Sequence, residues 1–253
     1  MNRHSRPFSF ALLLTIFAFV ALEARVPKPP DEADLPKKRS FRENSKILLK
    51  IYQGDLASDL YCGCKFSGKE SIDFSTCDFE PRDNPKRKSY ARAERIEWEH
   101  MVTAHNMGKF RQCWQNGGRK NCVETDPEFQ IMEGDLHNLY PSIGEINGDR
   151  SNYMFSQWTN SPVPMYGTCQ TIVDFKGKKA QPRPEARGII ARAHFYMERE
   201  YGIKLSNQDR KLFNAWDKTY PVTELECARD SLIALYQGNH NPFVAAGCAA
   251  FKE

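Results

Sequence analysis

The sequence has 253 residues, of which 40% are hydrophobic and 27% charged, an ordinary composition for a globular domain with a sizeable core. Its 36 Lys and Arg residues against 32 Asp and Glu residues give a net charge of +4. This excess is too small to indicate a polyanionic partner by itself. A nucleic-acid surface would therefore depend on where individual Arg and Lys residues lie.

The N-terminus has the layout of a secretory signal peptide over residues 1–24. Arg3 and Arg6 precede a short apolar run from Phe8 to Leu22, and small residues follow it. An uncleaved anchor is the weaker alternative, because a membrane span needs about 20 apolar residues. We expect an exported protein, periplasmic or secreted, whose mature form does not enter the membrane.

A flexible lead-in is predicted for residues 25–42, which are rich in proline and charge. One folded domain is expected to follow, over residues 43–253. Residues 61–92 combine cysteine, glycine and aspartate, which is typical of loops and short strands held by disulfides. The first helix is predicted just after the lead-in, with four apolar residues on one face: Ile47, Leu48, Ile51 and Tyr52.

Two strands and a short helix are predicted in the middle of the chain. In residues 95–102 one set of alternate positions holds Ile96, Trp98, His100 and Val102, and the other is mostly charged, which is the pattern of a strand. Residues 135–139 form a second candidate strand, which Pro141 is expected to end. Ser142 and Glu145 match a capping box, so we expect the helix to start at Ser142.

The last third of the chain is predicted to be helical. Residues 184–201 carry apolar side chains at helical spacing, and Gly202 follows as a stop signal. Ser206 and Thr223 each begin a further capping box. Together these elements predict an α+β fold, a mainly helical single domain around a small sheet.

All eight cysteines follow the signal peptide, and their even number favours four disulfides in an oxidising compartment. Cys113 and Cys122 flank a glycine-rich turn and could close a short loop. Zinc binding is the alternative interpretation. The spacing of Cys62 and Cys64 is unusual for zinc ligands, however, so disulfides are favoured.

Polar side chains suited to catalysis occur in three segments: Glu99–His100, Asp135–Asn138 and Asn147–Arg150. Carboxylate and amide oxygens suit Mg²⁺ or Ca²⁺, and a histidine with a pKa near ~6.5 can accept a proton at neutral pH. Similar clusters occur in ordinary loops, so this pattern alone does not decide for an enzyme.

Four longer segments, in this order along the chain, resemble the bacterial endonuclease I family: Glu97–His100, Cys113–Cys122, Met132–Leu139 and Gly144–Asn152. Members of this family are periplasmic or secreted nucleases with a ββα-metal (His-Me finger) active site. The resemblance runs from about Ile47 to Cys248. It implies that residues 43–253 form a metal-dependent endonuclease domain that cuts DNA, and RNA as well, with little sequence specificity.

The resemblance also implies a role for individual residues. His100 would be the general base that activates water, and Arg119 would hold the scissile phosphate. Glu99 and Asn147 would bind one divalent metal ion, with Mg²⁺ as the expected species. Asn138 would fix the loop that orients His100.

Contacts with the nucleic acid are expected at backbone phosphates, which carry no sequence information. Lys120 and Arg150 are candidates for that phosphate-binding surface. We expect a monomer, since no coiled-coil pattern is present. The alternative function is a catalytically inactive nucleic-acid-binding or uptake protein.

The predicted strand raises a geometric conflict, because neighbouring residues such as Glu99 and His100 point to opposite faces of a regular strand. We therefore expect that strand geometry breaks at this pair, or that the two side chains reach around an edge. Glu97 shares the face of Glu99 and could support the metal ligands without binding the metal itself. A solvent-facing carboxylate is its favoured interpretation.

Overall fold

The structure is a computed structural model that describes residues 37–82, 90–160 and 163–251. The predicted signal peptide and residues 25–36 of the lead-in lie outside these ranges. Within them, every helix is too short or too polar to cross a lipid bilayer.

The described residues form eleven α-helices, seven short strands and several 3₁₀ turns. The helices are α1 (Phe41–Ile51), α2 (Tyr90–Ala93), α3 (Ala104–Gly108), α4 (Gln112–Gln115), α5 (Gly118–Thr125), α6 (Pro127–Gly134), α7 (Gly144–Arg150), α8 (Pro184–Tyr201), α9 (Asn207–Thr219), α10 (Glu224–Gln237) and α11 (Pro242–Ala245). The strands are β1 (Lys65–Ser67), β2 (Ser71–Asp73), β3 (Ile96–His100), β4 (Leu139–Ile143), β5 (Met154–Phe155), β6 (Ile172–Asp174) and β7 (Lys179–Gln181).

These elements confirm the predicted α+β class, but the strands make three small sheets instead of one. β1 pairs with β2 and β3 with β4, both antiparallel. The third sheet has the order β5-β7-β6, with β5 parallel and β6 antiparallel to β7. Helices therefore supply most of the framework that surrounds the β3–β4 pair.

Helix α1 begins at Phe41, two residues before the predicted start of the folded domain. Ser40 caps it: the serine side chain accepts from the Glu43 amide, and the Glu43 carboxylate accepts from the Ser40 amide. A cap of this kind contributes about 1 kcal/mol. The predicted apolar face is confirmed, since its four residues are at most 4% exposed.

The β3–β4 pair confirms the first predicted strand and corrects the second. Residues 136–138 form a 3₁₀ turn, because the Asp135 side chain accepts from the His137 amide and caps that turn. The strand starts only at Leu139 and runs through Pro141, which lies opposite Trp98. A proline is tolerated there because β4 is an edge strand.

Helix α7 begins at Gly144, and not at Ser142 as the capping pattern predicted. Ser142 is still part of β4, where it lies opposite Glu97. Its hydroxyl donates to the Ile143 carbonyl and does not cap the helix. The strand thus passes directly into the helix, which brings the first turns of α7 next to β3.

The predictions for the C-terminal third are confirmed. Helix α8 has the predicted bounds, and Gly202 ends it with a left-handed φ of 68°, a conformation that glycine adopts without steric cost. Ser206 and Thr223 cap α9 and α10 through their side chains.

Four disulfides link all eight cysteines, as predicted: Cys62–Cys169, Cys64–Cys77, Cys113–Cys122 and Cys227–Cys248. The first joins residues 107 positions apart and ties the segment before β1 to the segment before β6. The expected short loop between Cys113 and Cys122 is confirmed.

Candidate active site

A cleft of about 630 Å³ opens beside β3, with α1 and α7 contributing to its walls. Five of the seven predicted site residues line this cleft: Glu99, His100, Arg119, Asn147 and Arg150. The other two, Asn138 and Lys120, lie outside its lining. The chain segments singled out in the sequence therefore converge on one concave surface.

Glu99 and His100 lie on a strand that is regular up to its last residue. Glu99 is opposite Tyr140 and His100 is opposite Leu139, so the ladder does not break at this pair. Both side chains nevertheless line the same cleft, as do those of Glu97 and Trp98. Residues of both faces of β3 therefore border one cleft although the ladder is regular, and the predicted break in strand geometry is not found.

The imidazole of His100 is held in one orientation and one tautomer. Its Nε2 lies 2.9 Å from the Glu133 carbonyl oxygen, and a carbonyl can only accept, so Nε2 carries the proton. Nδ1 is then an unprotonated acceptor. Burial and the charge of Arg119 lower the pKa of His100 to about 3, and the Phe41 ring packs against it at 4.8 Å between centroids.

The carboxylate of Glu99 is buried, and one of its oxygens is already occupied. Oε1 accepts from the Tyr61 hydroxyl at 2.6 Å and from Nη1 of Arg150 at 2.8 Å. Burial raises the pKa of Glu99, and the interactions with Arg150 and Tyr61 offset part of this rise. Oε2 accepts no hydrogen bond from the described residues, which leaves it available to a ligand in the cleft.

Arg150, a candidate phosphate contact in the sequence, lines the cleft but is held by protein groups. The residue is 1% exposed, and its guanidinium donates to Glu99, to the His100 carbonyl at 2.9 Å and to the Met101 carbonyl at 2.7 Å. A buried charge needs such partners. Arg150 thus holds Glu99 and the end of β3 in place.

Asn147 is oriented by Glu97, which the sequence had suggested was a solvent-facing carboxylate. Glu97 accepts from Arg92, from Arg95 and from Nδ2 of Asn147 at 3.0 Å. Burial raises the pKa of Glu97, but the hydrogen bonds from Arg92 and Arg95 outweigh this effect and hold the pKa below its ordinary value. Since the carboxylate can only accept, the Asn147 amide nitrogen faces it and Oδ1 points away.

Arg119 extends into the cleft from α5 with its charge partly compensated. Its Nε donates to the Glu133 carboxylate at 2.5 Å, and its side chain is 48% exposed. The guanidinium also lies over the Phe41 ring, 5.6 Å from the centroid. Neither Nη group has a hydrogen bond among the described residues, so both can bind a phosphate.

Asn138 is fully buried and lies one residue beyond the paired end of β4. Its Oδ1 accepts from the Val102 amide at 2.8 Å, and its Nδ2 donates to the Val102 carbonyl at 2.9 Å. These bonds hold the chain directly after His100. Lys120 is 86% exposed and lies 4.0 Å from Glu124, away from the cleft.

The donor set of the cleft fits a hard divalent cation held by few protein ligands. Within the described ranges, no three Asp, Glu, His or Cys side chains cluster as a metal centre. Of the predicted metal ligands, Oε2 of Glu99 and Oδ1 of Asn147 accept no hydrogen bond from the described residues. Mg²⁺ suits such a site, because it commonly keeps several waters and takes only one or two carboxylates.

Sequence reasoning missed three residues that shape the site. Glu133 contacts both His100 and Arg119, Tyr61 donates to Glu99, and Phe41 packs between His100 and Arg119. Glu133 lay inside a recognised segment, but nothing in its local pattern indicated burial. Tyr61 and Phe41 belong to distant segments, which no local pattern connects to β3.

Comparison with known proteins gives consistent matches over most of the chain. The sequence model of the family described as Endonuclease I matches residues 42–248. The chain is 46% identical to a periplasmic deoxyribonuclease of Aeromonas hydrophila, covering 98% of this chain and 100% of that protein. It is 50% identical to an extracellular deoxyribonuclease of the same organism, covering 83% and 91%. It is 46% identical to Endonuclease-1 of Buchnera aphidicola subsp. Acyrthosiphon pisum, covering 83% and 82%.

Proposed function

The chain belongs to the endonuclease I family, and we propose that it hydrolyses phosphodiester bonds of DNA, and of RNA as well, with little dependence on sequence. The main support for this proposal is the hydrogen bonding of His100. Its Nε2 is bonded to a carbonyl, which leaves Nδ1 free to act as a base in a cleft that Arg119 also lines. In this proposal β3, β4 and α7 form the ββα-metal motif.

His100 acts as the general base in the proposed reaction. Nδ1 accepts a proton from the attacking water while Nε2 keeps its bond to Glu133, so the imidazole does not rotate during the transfer. A positioned base of this kind contributes about 10²–10⁴-fold to the rate. The ring is neutral before the reaction because burial lowers its pKa.

Arg119 binds the scissile phosphate through its two Nη groups, which suit the paired oxygens of a phosphate. Its Nε remains bonded to Glu133, so the guanidinium plane is fixed before substrate arrives. As negative charge builds up on the phosphoryl oxygens, this preset group stabilises it without reorganisation.

Glu99 and Asn147 are the residues that would hold Mg²⁺, through Oε2 and Oδ1. A bound divalent cation stabilises charge on the phosphate and on the leaving oxygen. Arg150 and Tyr61 keep the Glu99 carboxylate in place, and Glu97 keeps the Asn147 amide turned the right way. Asn138 fixes the backbone beyond His100.

The low sequence dependence follows from the kind of contact that the cleft offers. Its charged donors bind phosphate oxygens, and phosphate contacts carry no base information. The relatives named periplasmic and extracellular, together with four disulfides, place the chain outside the cytoplasm. Lys120 would contact a phosphate farther from the scissile bond.

The alternative, an inactive nucleic-acid-binding protein, is disfavoured because the base, the phosphate clamp and the two oxygen ligands are all in the cleft. The test is cleavage of plasmid DNA by the oxidised mature protein with Mg²⁺, with and without EDTA. We expect cleavage that EDTA abolishes and that His100→Ala slows by about 10²–10⁴-fold. The control Lys211→Ala, an exposed change on α9, should cleave normally. Intact plasmid in every reaction would refute the proposal.

A further inference from the structure

The outer surface of α1 carries a row of cations beside the catalytic cleft. Arg42, Lys46 and Lys50 follow one another at intervals of four residues and are all exposed. With Lys37 they line a groove of about 510 Å³. We name this surface the α1 groove. Its three helical cations span about 12 Å of helix axis.

The α1 groove and the cleft are bordered by the same helix. Phe41 and Ser45 line the cleft, and Arg42 and Lys46 are the residues that directly follow them. Since an α-helix has 3.6 residues per turn, the cations lie about 100° around the axis from the cleft side. A polymer leaving the cleft across α1 would therefore meet the cations next.

Two of the helical cations in the groove are available to a ligand. Arg42 and Lys46 make no ion pair or hydrogen bond within the described ranges. The acidic lining residue Glu43 is engaged by the Ser40 amide and hydroxyl, and the hydrogen bonds from Ser40 lower its pKa, which keeps it ionised as a helix cap. Like charges four residues apart destabilise a helix, so the row has a cost that a bound polyanion would relieve.

We infer that the α1 groove binds the phosphate backbone of the nucleic acid next to the scissile bond. This inference rests on the proposed function for the identity of the polyanion. One strand of duplex DNA advances about 3.4 Å per phosphate, so the three cations face roughly three or four consecutive phosphates. The groove extends the grip on the substrate beyond Arg119 without reading bases.

Binding can be measured separately from cleavage. Fluorescence anisotropy with a labelled duplex of about two helical turns would be recorded in EDTA, with His100→Ala as the parent, from about 50 to 200 mM NaCl. The test variant adds Arg42→Gln and Lys46→Gln. The matched control adds Lys211→Gln and Lys218→Gln, which remove the same charge from exposed positions on α9.

Each lost phosphate contact lowers the slope of log K against log salt by about 0.9, so the test variant should lose about 1.8 and the control nothing. Affinity at the lowest salt should fall several-fold in the test variant. With His100 restored, the same two changes should raise KM for long DNA and leave kcat unchanged. Equal thermal midpoints would show that the fold is intact, and Lys46→Gln alone should give half the change in slope.

The outcomes separate the inference from the proposed function. Equal slopes in the test and control variants would overturn the α1 groove, even if the parent chain with His100 cleaves plasmid. A reduced slope confined to the test variant would support the groove, even if the chain failed to cleave.

Discussion

Asn138 and Val102 exchange two hydrogen bonds, 2.8 Å from the Val102 amide to Oδ1 and 2.9 Å from Nδ2 to the Val102 carbonyl. The Met101 amide also donates to the Asn138 carbonyl at 3.1 Å. A side-chain amide thus continues the β3–β4 ladder just beyond His100. His100, the proposed base, is therefore tied to β4 by the ladder and, just beyond the strand end, by Asn138.

Replacing Asn138 should damage both stability and activity. In Asn138→Ala, the Val102 amide and carbonyl lose their partners in a fully buried position, which costs about 2–5 kcal/mol of unfolding free energy. Activity should fall because the backbone after His100 is released. Urea unfolding and initial cleavage rates would measure both effects. The exposed control Asn214→Ala on α9 should change neither, and a fully active, fully stable Asn138→Ala would exclude the positioning role.

Removing the buried guanidinium of Arg150 should be among the most damaging single changes. Arg150→Ala leaves the Glu99 carboxylate without its cation and two carbonyls without donors, a loss of about 3–5 kcal/mol. The control Arg210→Ala breaks an exposed ion pair with Glu198 and should cost at most about 1 kcal/mol. Guanidinium chloride unfolding of both oxidised variants measures the difference. Similar losses would mean that the buried interactions of Arg150 stabilise the fold no more than an exposed ion pair does.

The interaction between Glu97 and Asn147 should set the requirement for metal. Glu97→Gln weakens the bonds from Arg92 and Arg95 and no longer dictates which end of the Asn147 amide faces it. We expect a several-fold higher Mg²⁺ concentration for half-maximal cleavage, with most of the rate restored at saturation. A Mg²⁺ titration of the cleavage rate checks this. An unchanged midpoint with a lower maximal rate would assign Glu97 to another step.

The sequence predicted the parts of the fold that depend on local signals. Helix α8 and the caps of α9 and α10 were correct to the residue, because apolar spacing, capping side chains and Gly202 act within a few positions. The second strand and the start of α7 were wrong. The side chain of Asp135 caps a turn where the strand was predicted, and β4 tolerates Pro141 because it is an edge strand. Neither effect is visible in a local sequence pattern.

The same distinction holds for the site. The structure brings His100, Glu99 and Asn147 to one cleft, and the sequence singled them out because their segments resemble those of a known family. The burial of Arg150 was not predicted, because nothing in the sequence of the last turn of α7 indicates it. Its burial depends on three acceptors at the end of β3, contributed by tertiary packing.

Acid should destabilise the fold through His194. This buried ring is 3% exposed, bonds the Ile190 carbonyl through Nδ1 and packs against Phe155 and Phe213. Burial and the charge of Arg150 lower its pKa to about 3, while the unfolded residue titrates near ~6.5. The unfolded state therefore binds more protons between these values, so stability is complete above pH ~6.5 and falls as pH decreases towards ~3.

The loss assigned to His194 is about 3 kcal/mol between pH 6.5 and 4. His194→Gln cannot take up the proton, so its unfolding free energy should depend less steeply on pH over this range. The variant keeps a residual slope, since burial also lowers the pKa values of His100 and His137. Chemical unfolding at several pH values measures the slopes. Parallel curves for the variant and the parent would show that His194 titrates normally in the folded protein.

Reduction should unfold or inactivate the protein, with Cys62–Cys169 the most consequential link. It closes a loop of 107 residues, and the lost chain entropy of the unfolded state stabilises the fold by about 4–5 kcal/mol. Cys113–Cys122 closes a loop of only nine residues and should stabilise the fold less. Cys62 directly follows Tyr61, the donor to Glu99, so losing this link should also lower activity. Cys62→Ser/Cys169→Ser and Cys113→Ser/Cys122→Ser would be compared by thermal midpoint and cleavage rate. A larger loss in the second pair would contradict the loop-length argument, and full activity in the reduced parent would show that the disulfides are not needed for function.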